Sequence, residues 1–264
     1  MSDSISAPSP WLSVLEVRAI GERLHLSAVL PALRRLPRGD RHPVLVLPGF
    51  SASDRSTAEL RRLLDHLGYR TSGWGLGVNV GPSNEVVRGL VHALDRASGP
   101  DREPVSIIGW SLGGIYAREL ARARPTQVRQ VITMGSPIQM VESGSARPIW
   151  SALQQSRSGA STRQLRDSPR PPLSGPSTSI YSRTDGVVRW EASLVRRTSI
   201  SENVRVHGSH CGLGFNAAAI FVIADRLAQP AGTWRHFRAP WYLRGAFPSA
   251  VDLDPLRHPP ASAA

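Results

Sequence analysis

Short apolar runs alternate with amphipathic stretches along most of the chain. VLVLPG at 44–49, VSIIGW at 105–110, VRQVITMGSP at 128–137, STSIYS at 177–182 and NVRVHG at 203–208 each read as a strand. The first two are apolar with no polar alternation, the pattern of strands buried on both faces of a parallel sheet. YRTSGWGLG, from Tyr69, is a weaker strand that runs into a glycine-rich loop. Between the strands, Ser56–Leu67 sets Leu60, Leu63, Leu64 and Leu67 at helical spacing with arginines among them, and Gly68 closes the segment. Asn84–Ala97, Leu112–Ala123 and Ala217–Leu227 follow the same rule. Strands alternating with helices of this length predict an α/β fold, a mostly parallel central sheet flanked by helices.

The ends and one interior stretch depart from that alternation. From Trp11 to about Leu36 the apolar residues recur loosely at helical spacing, broken by Gly21 and Pro31, so residues 1–40 read as a helical lead-in. Residues 41–230 then form the main domain. Within it, about 138–176 is rich in Ser, Arg, Pro and Gln, too long for a structureless loop without a function. It is expected to be a small lid with a short helix around Pro148–Gln155. Residues 231–264 are aromatic without a clear period and are expected as a tail packed on the body or flexible.

Composition narrows the picture further. A length of 264 residues supports a sizeable core without staples, and a single cysteine, Cys211, allows no intrachain disulfide. No Cys/His spacing fits a metal site, and the glycines of GWGLG at 73–77 fit neither a dinucleotide fingerprint nor a phosphate loop. No cofactor is therefore expected. The formal net charge is +12, yet all 32 basic residues are arginines and they are scattered. This argues against a nucleic-acid partner and leaves only a weak attraction to anionic membrane surfaces. With no leader pattern at the N-terminus and no uncharged apolar run of spanning length, a cytoplasmic protein is expected.

One motif carries chemistry. In IIGWSLGGIYA, from Ile107, Ser111 stands between Gly109 and Gly113 where a strand passes into a helix. A serine hydroxyl needs a neutral histidine to take its proton and a carboxylate to orient that histidine. It must also project from a tight turn, which crowds the residues two before and two after it and demands that they be small. The Leu112 amide, at a helix N-terminus, would face a developing oxyanion, and the amide of Phe50, after Pro48-Gly49, would be its partner. For the acid, Asp185 lies just past a strand, whereas Asp167 falls in the presumed lid and Glu202 precedes its strand. For the base, His210 lies in a loop beyond the last strand, while His207 sits near that strand's end. Trp74, Asn79 and Trp110 are candidate pocket residues. The order Ser111, Asp185, His210 is that of α/β-hydrolases.

From about His42 to Leu227 the chain resembles bacterial α/β-hydrolases of the serine lipase/esterase type. LPGF at 47–50, GWSLGG at 109–114, SRTDGVV at 182–188 and GSHCGLGFN at 208–216 carry the likeness. It implies an eight-stranded sheet with a lid after the sixth strand, and hydrolysis through an acyl-enzyme; it does not supply the substrate, for which a small-molecule acyl ester is expected. Pro48 departs from the pattern, standing where many lipases have the histidine of a His-Gly pair. The same residues would serve an acyltransferase or a thioesterase, and a non-catalytic interaction protein could keep the fold. Neither the acyl group nor the oligomeric state is encoded in these motifs.

Overall fold

The computed structural model describes residues 10–140 and 173–250. Six strands form one sheet: β1 (Pro43–Leu47), β2 (Arg70–Gly73), β3 (Val105–Trp110), β4 (Val128–Met134), β5 (Ser177–Ser182) and β6 (Ser201–Val206). They lie in the order β2-β1-β3-β4-β5-β6, with every neighbouring pair parallel. Parallel neighbours need crossover connections, and helices supply the three from β1 to β2, β2 to β3 and β3 to β4. Among the described residues the α-helices of five residues or more are α1 (Pro10–Val14), α2 (Arg18–Leu33), α3 (Ala58–His66), α4 (Asn84–Ser98), α5 (Leu112–Ala123) and α6 (Ala217–Leu227).

The period-2 pleat divides the strand residues between two cores. Leu45, Leu47, Ile107 and Val131 pack with Val87, Leu90 and Leu94 of α4 and with Ile115 and Leu120 of α5. Val44, Val46, Ile108, Ile132, Ile180 and Val204 face the other way, onto α3, α2 and α6 through Leu60, Leu64, Leu26, Ile220 and Ile223. That double burial is why β1 and β3 read as unbroken apolar runs. Side-chain caps fix two helix starts: Ser83 Oγ accepts from the Val86 amide at 3.1 Å, and Asn216 Oδ1 from the Ala219 amide at 3.0 Å.

Two expectations change. Gly21 and Pro31 do not break the lead-in, because α2 runs through both, with Leu26 and Leu33 buried on the core; burial of one face outweighs the local penalties. Among the described residues the sheet has six strands, not eight. The described chain ahead of β1 carries the helices α1 and α2, and α2 packs on α6 rather than extending the sheet. The segment expected as a lid consequently follows the fourth strand, and its central part, including Pro148–Gln155, lies outside the described residues. Beyond α6, Phe237 and Phe247 pack against Phe221 and each other in edge-to-face and tilted contacts, and the Phe237 amide donates to Glu202 Oε2 at 2.6 Å. Among the described residues no helix is long and apolar enough to cross a membrane.

The topology itself selects a place for a site. The connection from β1 leads outward to β2, and the chain then crosses back over β1 to β3 before continuing in the opposite direction. The loops leaving β1 and β3 therefore diverge, and in open parallel sheets ligands bind at the carboxyl ends of strands where this happens. Those two loops begin with Pro48-Gly49-Phe50 and Ser111.

Candidate functional site

Ser111 occupies the turn between β3 and α5 with φ 52° and ψ −120°, a backbone conformation that L residues rarely adopt. The glycines around it have steric reasons. A Cβ on Gly109 would collide with the backbone of Gly113 and Gly114, and one on Gly113 with the carbonyls of Leu47 and Pro48. A Cβ on Gly49 would stand 3.2 Å from Ser111 Cβ. The β1 loop thus passes directly beside the serine, which brings Phe50 and Ser111 to the same strand ends. Leu112 opens α5, so its amide has no intrahelical acceptor. Among the described residues the Phe50 amide donates no hydrogen bond. Its ring is exposed.

Asp185 and His210 meet across two loops. Asp185 Oδ2 lies 2.7 Å from His210 Nδ1, and both side chains are buried. The other carboxylate oxygen accepts the amides of Val187 at 2.9 Å and Val188 at 2.7 Å, which fixes the carboxylate in its own turn. An ionised carboxylate only accepts, so its bond to Nδ1 places the proton there and leaves Nε2 with a lone pair. Trp110 Nε1 donates to the His210 carbonyl at 3.1 Å, and the Ser111 amide donates to the Met134 carbonyl at 2.8 Å. Gly135 follows Met134 with φ 54°, and a Cβ there would lie 2.9 Å from Asp185 Oδ2 and 3.0 Å from His210 Nδ1. The ends of β3, β4, β5 and β6 thus converge on one spot. Ser111 Oγ forms no hydrogen bond with the His210 ring in this structure, so the serine and the pair are neighbours through Trp110, Met134 and Gly135. Such a bond is often long before substrate is present.

The three candidate pocket residues are all buried. Trp74 is wholly buried in the core with its Nε1 donating to the Gly77 carbonyl at 3.0 Å. Its size suits that interior better than an open rim. Asn79 is also wholly buried: Nδ2 donates to the Pro48 carbonyl at 3.0 Å and Oδ1 accepts from the Gly81 amide at 3.2 Å. Its backbone adds two bonds, to the Ser51 amide at 2.7 Å and the Ala52 carbonyl at 2.8 Å. Asn79 therefore shapes the loop that carries Phe50. Trp110 ties β3 to the His210 loop, with Phe215 edge-on to its ring.

The competing residues lie elsewhere. Glu202 is paired with Arg226 at 3.0 Å and accepts from Thr178 Oγ1 at the opposite end of the sheet. His207 is exposed, and Asp167 lies outside the described residues. Among the described residues no group of three His, Cys, Asp or Glu side chains could hold a metal ion.

A second Ser-His-Asp set exists that the motifs did not disclose. His42 Nδ1 is hydrogen-bonded to Asp40, and His42 Nε2 lies 2.8 Å from Ser106 Oγ. By hydrogen bonding alone it is the more complete triad. Ser106, however, is wholly buried within β3, near the amino ends of the strands, where no substrate carbonyl reaches it. Burial lowers the pKa of His42, with Arg129 adding to the effect against the opposing pull of Asp40, so this imidazole is neutral packing.

Periodicity and motif spacing also miss the residues that join the loops. Ser182 Oγ and Thr184 Oγ1 both donate to the Gly208 carbonyl, at 2.6 Å and 3.0 Å, fastening the Asp185 loop to the His210 loop. Polar residues ending an otherwise buried strand are the one signal for them. Glu16 and Glu22 reach the same loops from α2 and the turn before it, and no local pattern marks them because their partners lie more than 160 positions away.

No family model and no curated protein matches the sequence. Solved structures do. The mature lipase BlEst2 of Bacillus licheniformis is similar with a TM-score of 0.51 at 14% identity, over 74% of this chain and 95% of the lipase. Lipase B of Aspergillus fumigatus gives 0.50 at 15%, over 75% of this chain and 55% of that one, so the chain spans about half of the fungal lipase. An alpha/beta superfamily hydrolase from Oenococcus oeni PSU-1 gives 0.49 at 16%, over 71% and 91%. At such identities the likeness is one of architecture. Together with the six-stranded parallel sheet, the likeness to the two lipases establishes that this chain has the α/β-hydrolase fold.

Proposed function

We propose that the protein is a serine hydrolase that cleaves carboxylic esters through Ser111, His210 and Asp185. The observation that carries this reading is the strained turn at Ser111, set where the sheet's connections diverge and adjoining a buried Asp185–His210 pair 2.7 Å apart. A backbone held at φ 52° has a cost, and such costs are retained where a side chain must project for chemistry.

In this mechanism the lone pair on His210 Nε2 takes the Ser111 hydroxyl proton while Oγ bonds to the ester carbonyl carbon. The carbonyl π pair moves onto oxygen, and the amides of Phe50 and Leu112 donate to that oxyanion. Asp185 holds the imidazole in its tautomer and stabilises it once charged. As the tetrahedral species collapses, the carbon–oxygen bond to the alcohol breaks and His210 returns the proton to the departing oxygen. Water, deprotonated by the same imidazole, then attacks the acyl-serine carbonyl, and as the bond from that carbon to Ser111 Oγ breaks His210 returns the proton to Oγ and the acid departs.

The test is hydrolysis of an activated short-chain ester such as a p-nitrophenyl ester. Ser111→Ala is expected to lose at least about a thousandfold in kcat while keeping its fold. Retained turnover in that variant would sink the assignment. Chain-length profiling over the same ester series then defines the acyl group, and product analysis with an added alcohol or thiol separates hydrolysis from acyl transfer.

A further inference from the structure

We propose that Glu16 is a positioning residue for this reaction: its carboxylate ties the loop carrying Asp185 to the loop carrying His210 and so sets how the two side chains meet. The inference rests on the serine-hydrolase reading above. Glu16 lies in the single turn Leu15–Val17 between α1 and α2. Its Oε1 accepts the Gly186 amide at 2.7 Å and the His210 amide at 2.9 Å, and its Oε2 accepts the Cys211 amide at 2.7 Å.

Each of those amides belongs to a peptide group joined to a proposed catalytic residue. The Gly186 N–H is part of the peptide that leaves Asp185, while the His210 and Cys211 N–H groups lie on either side of the His210 Cα. One acceptor-only group therefore fixes the backbone of the acid and of the base at once. Neighbouring contacts act in the same direction. Glu22 Oε1 accepts the Ser209 amide at 2.7 Å, so three consecutive amides, Ser209 to Cys211, all point at carboxylates of the lead-in. Ser13 Oγ donates to the Gly186 carbonyl at 2.8 Å, and Arg18 donates to the Thr184 carbonyl at 2.9 Å. The chain is close enough here that a Cβ on Gly186 would strike the Leu12 carbonyl. Asp185 and His210 follow different strands and are 25 residues apart, so the lead-in adds to the ties that Ser182, Thr184 and the Asp185–His210 bond itself make between their loops.

Charge is the second half of the role. Burial alone would raise the Glu16 pKa, but the Cys211, His210 and Gly186 amides outweigh it, and the carboxyl is held below its ordinary value. An anion thus sits one peptide group from the imidazole, where it favours the imidazolium formed during proton transfer. The titratable and charged groups facing it are Asp185 and His210 themselves, the Cys211 thiol and Glu22, with Arg18 on the adjoining turn.

The experiment counts competent sites before measuring their rate. Wild type is titrated with a fluorophosphonate, with Ser111→Ala as the unlabelled control, and turnover of a p-nitrophenyl ester is expressed per labelled site. Glu16→Gln is then measured in the same way. A glutamine offers one oxygen and one NH2, so it cannot accept from all three amides. Turnover per labelled site is expected to fall about 10- to 100-fold with KM little changed, as for a small misplacement of reacting groups. The acid limb of kcat/KM should also move to lower pH once the anion is gone.

A merely structural Glu16 gives a different result: fewer labelled sites, each turning over within about twofold of wild type. That outcome overturns the proposal. If Glu16→Gln yields no folded protein, Glu16→Asp, which keeps the charge but is one methylene shorter, is judged by the same per-site criterion. A wild type that takes no label overturns the serine-hydrolase reading, and this inference with it, whereas a labelled wild type with unchanged per-site turnover in the variant overturns this inference alone.

Discussion

The strain at Ser111 makes a prediction that separates stability from activity. Ser111→Ala and Ser111→Gly both remove the hydroxyl, but only glycine adopts φ 52° without a Cβ penalty. Holding a residue with a Cβ in such a region costs about 1–3 kcal/mol. Against that relief, the freer unfolded chain of a glycine variant costs about 0.4–1 kcal/mol. The side chain is only half-buried, so little packing is lost in either case. The midpoints of these ranges leave the glycine variant more stable than the alanine variant by about 1.3 kcal/mol, or about 3–5 °C in Tm for a domain of this size. Thermal melts and urea midpoints of the two inactive variants, compared side by side, measure it. Alanine equal to or more stable than glycine would refute the reasoning, because the turn would then store no strain and would give no physical reason to single out Ser111.

Other perturbations probe the supports. Asn79→Ala strips partners from the buried Pro48 carbonyl and Gly81 amide; it should cost about 2–4 kcal/mol in a denaturant titration and lower kcat more than it raises KM, through the loosened Phe50 amide. Cys211 is exposed, yet burial of its sulfur and the nearby Glu16 push its thiol up to about 11; alkylation by iodoacetamide should be slow at pH 8 and accelerate only as pH approaches that value, and rapid reaction near neutrality would contradict it. The lowered pKa of His42 means that the unfolded chain binds more protons than the folded one below about pH 6.5, so stability should decline as pH drops from 7 to 5. His42→Asn should flatten that decline in Tm measured across the same range.

How much of this was legible in the sequence follows the range of each interaction. β1 and β3 could be read because burial on both faces leaves no polar position in β1 and only Ser106 in β3, and α3 and α4 because one face is apolar at helical spacing. Gly109, Ser111 and Gly113 could be read because the turn's steric demands fall within five residues. The lead-in was legible only as helical. Its continuity through Gly21 and Pro31 comes from tertiary burial of Leu26 and Leu33, which no local pattern records. Trp74 and Asn79 show the opposite case: a glycine-rich surrounding suggests a rim, whereas the fold turns both side chains inward, Trp74 into the core and Asn79 onto the Pro48 carbonyl. Glu16 is the extreme case, since its three bonds span 170 to 195 positions. The Asp40–His42–Ser106 set adds a caution of its own, because hydrogen-bond geometry without access does not make a site.

The central claim is that Ser111, and not Ser106, is the nucleophile. It is tested most directly by treating the protein with a fluorophosphonate and locating the adduct by peptide mass spectrometry. The expected result is one stoichiometric phosphonyl adduct on Ser111, abolished in Ser111→Ala and slowed in His210→Ala. An adduct on Ser106, or no adduct on a folded wild type, would contradict the account.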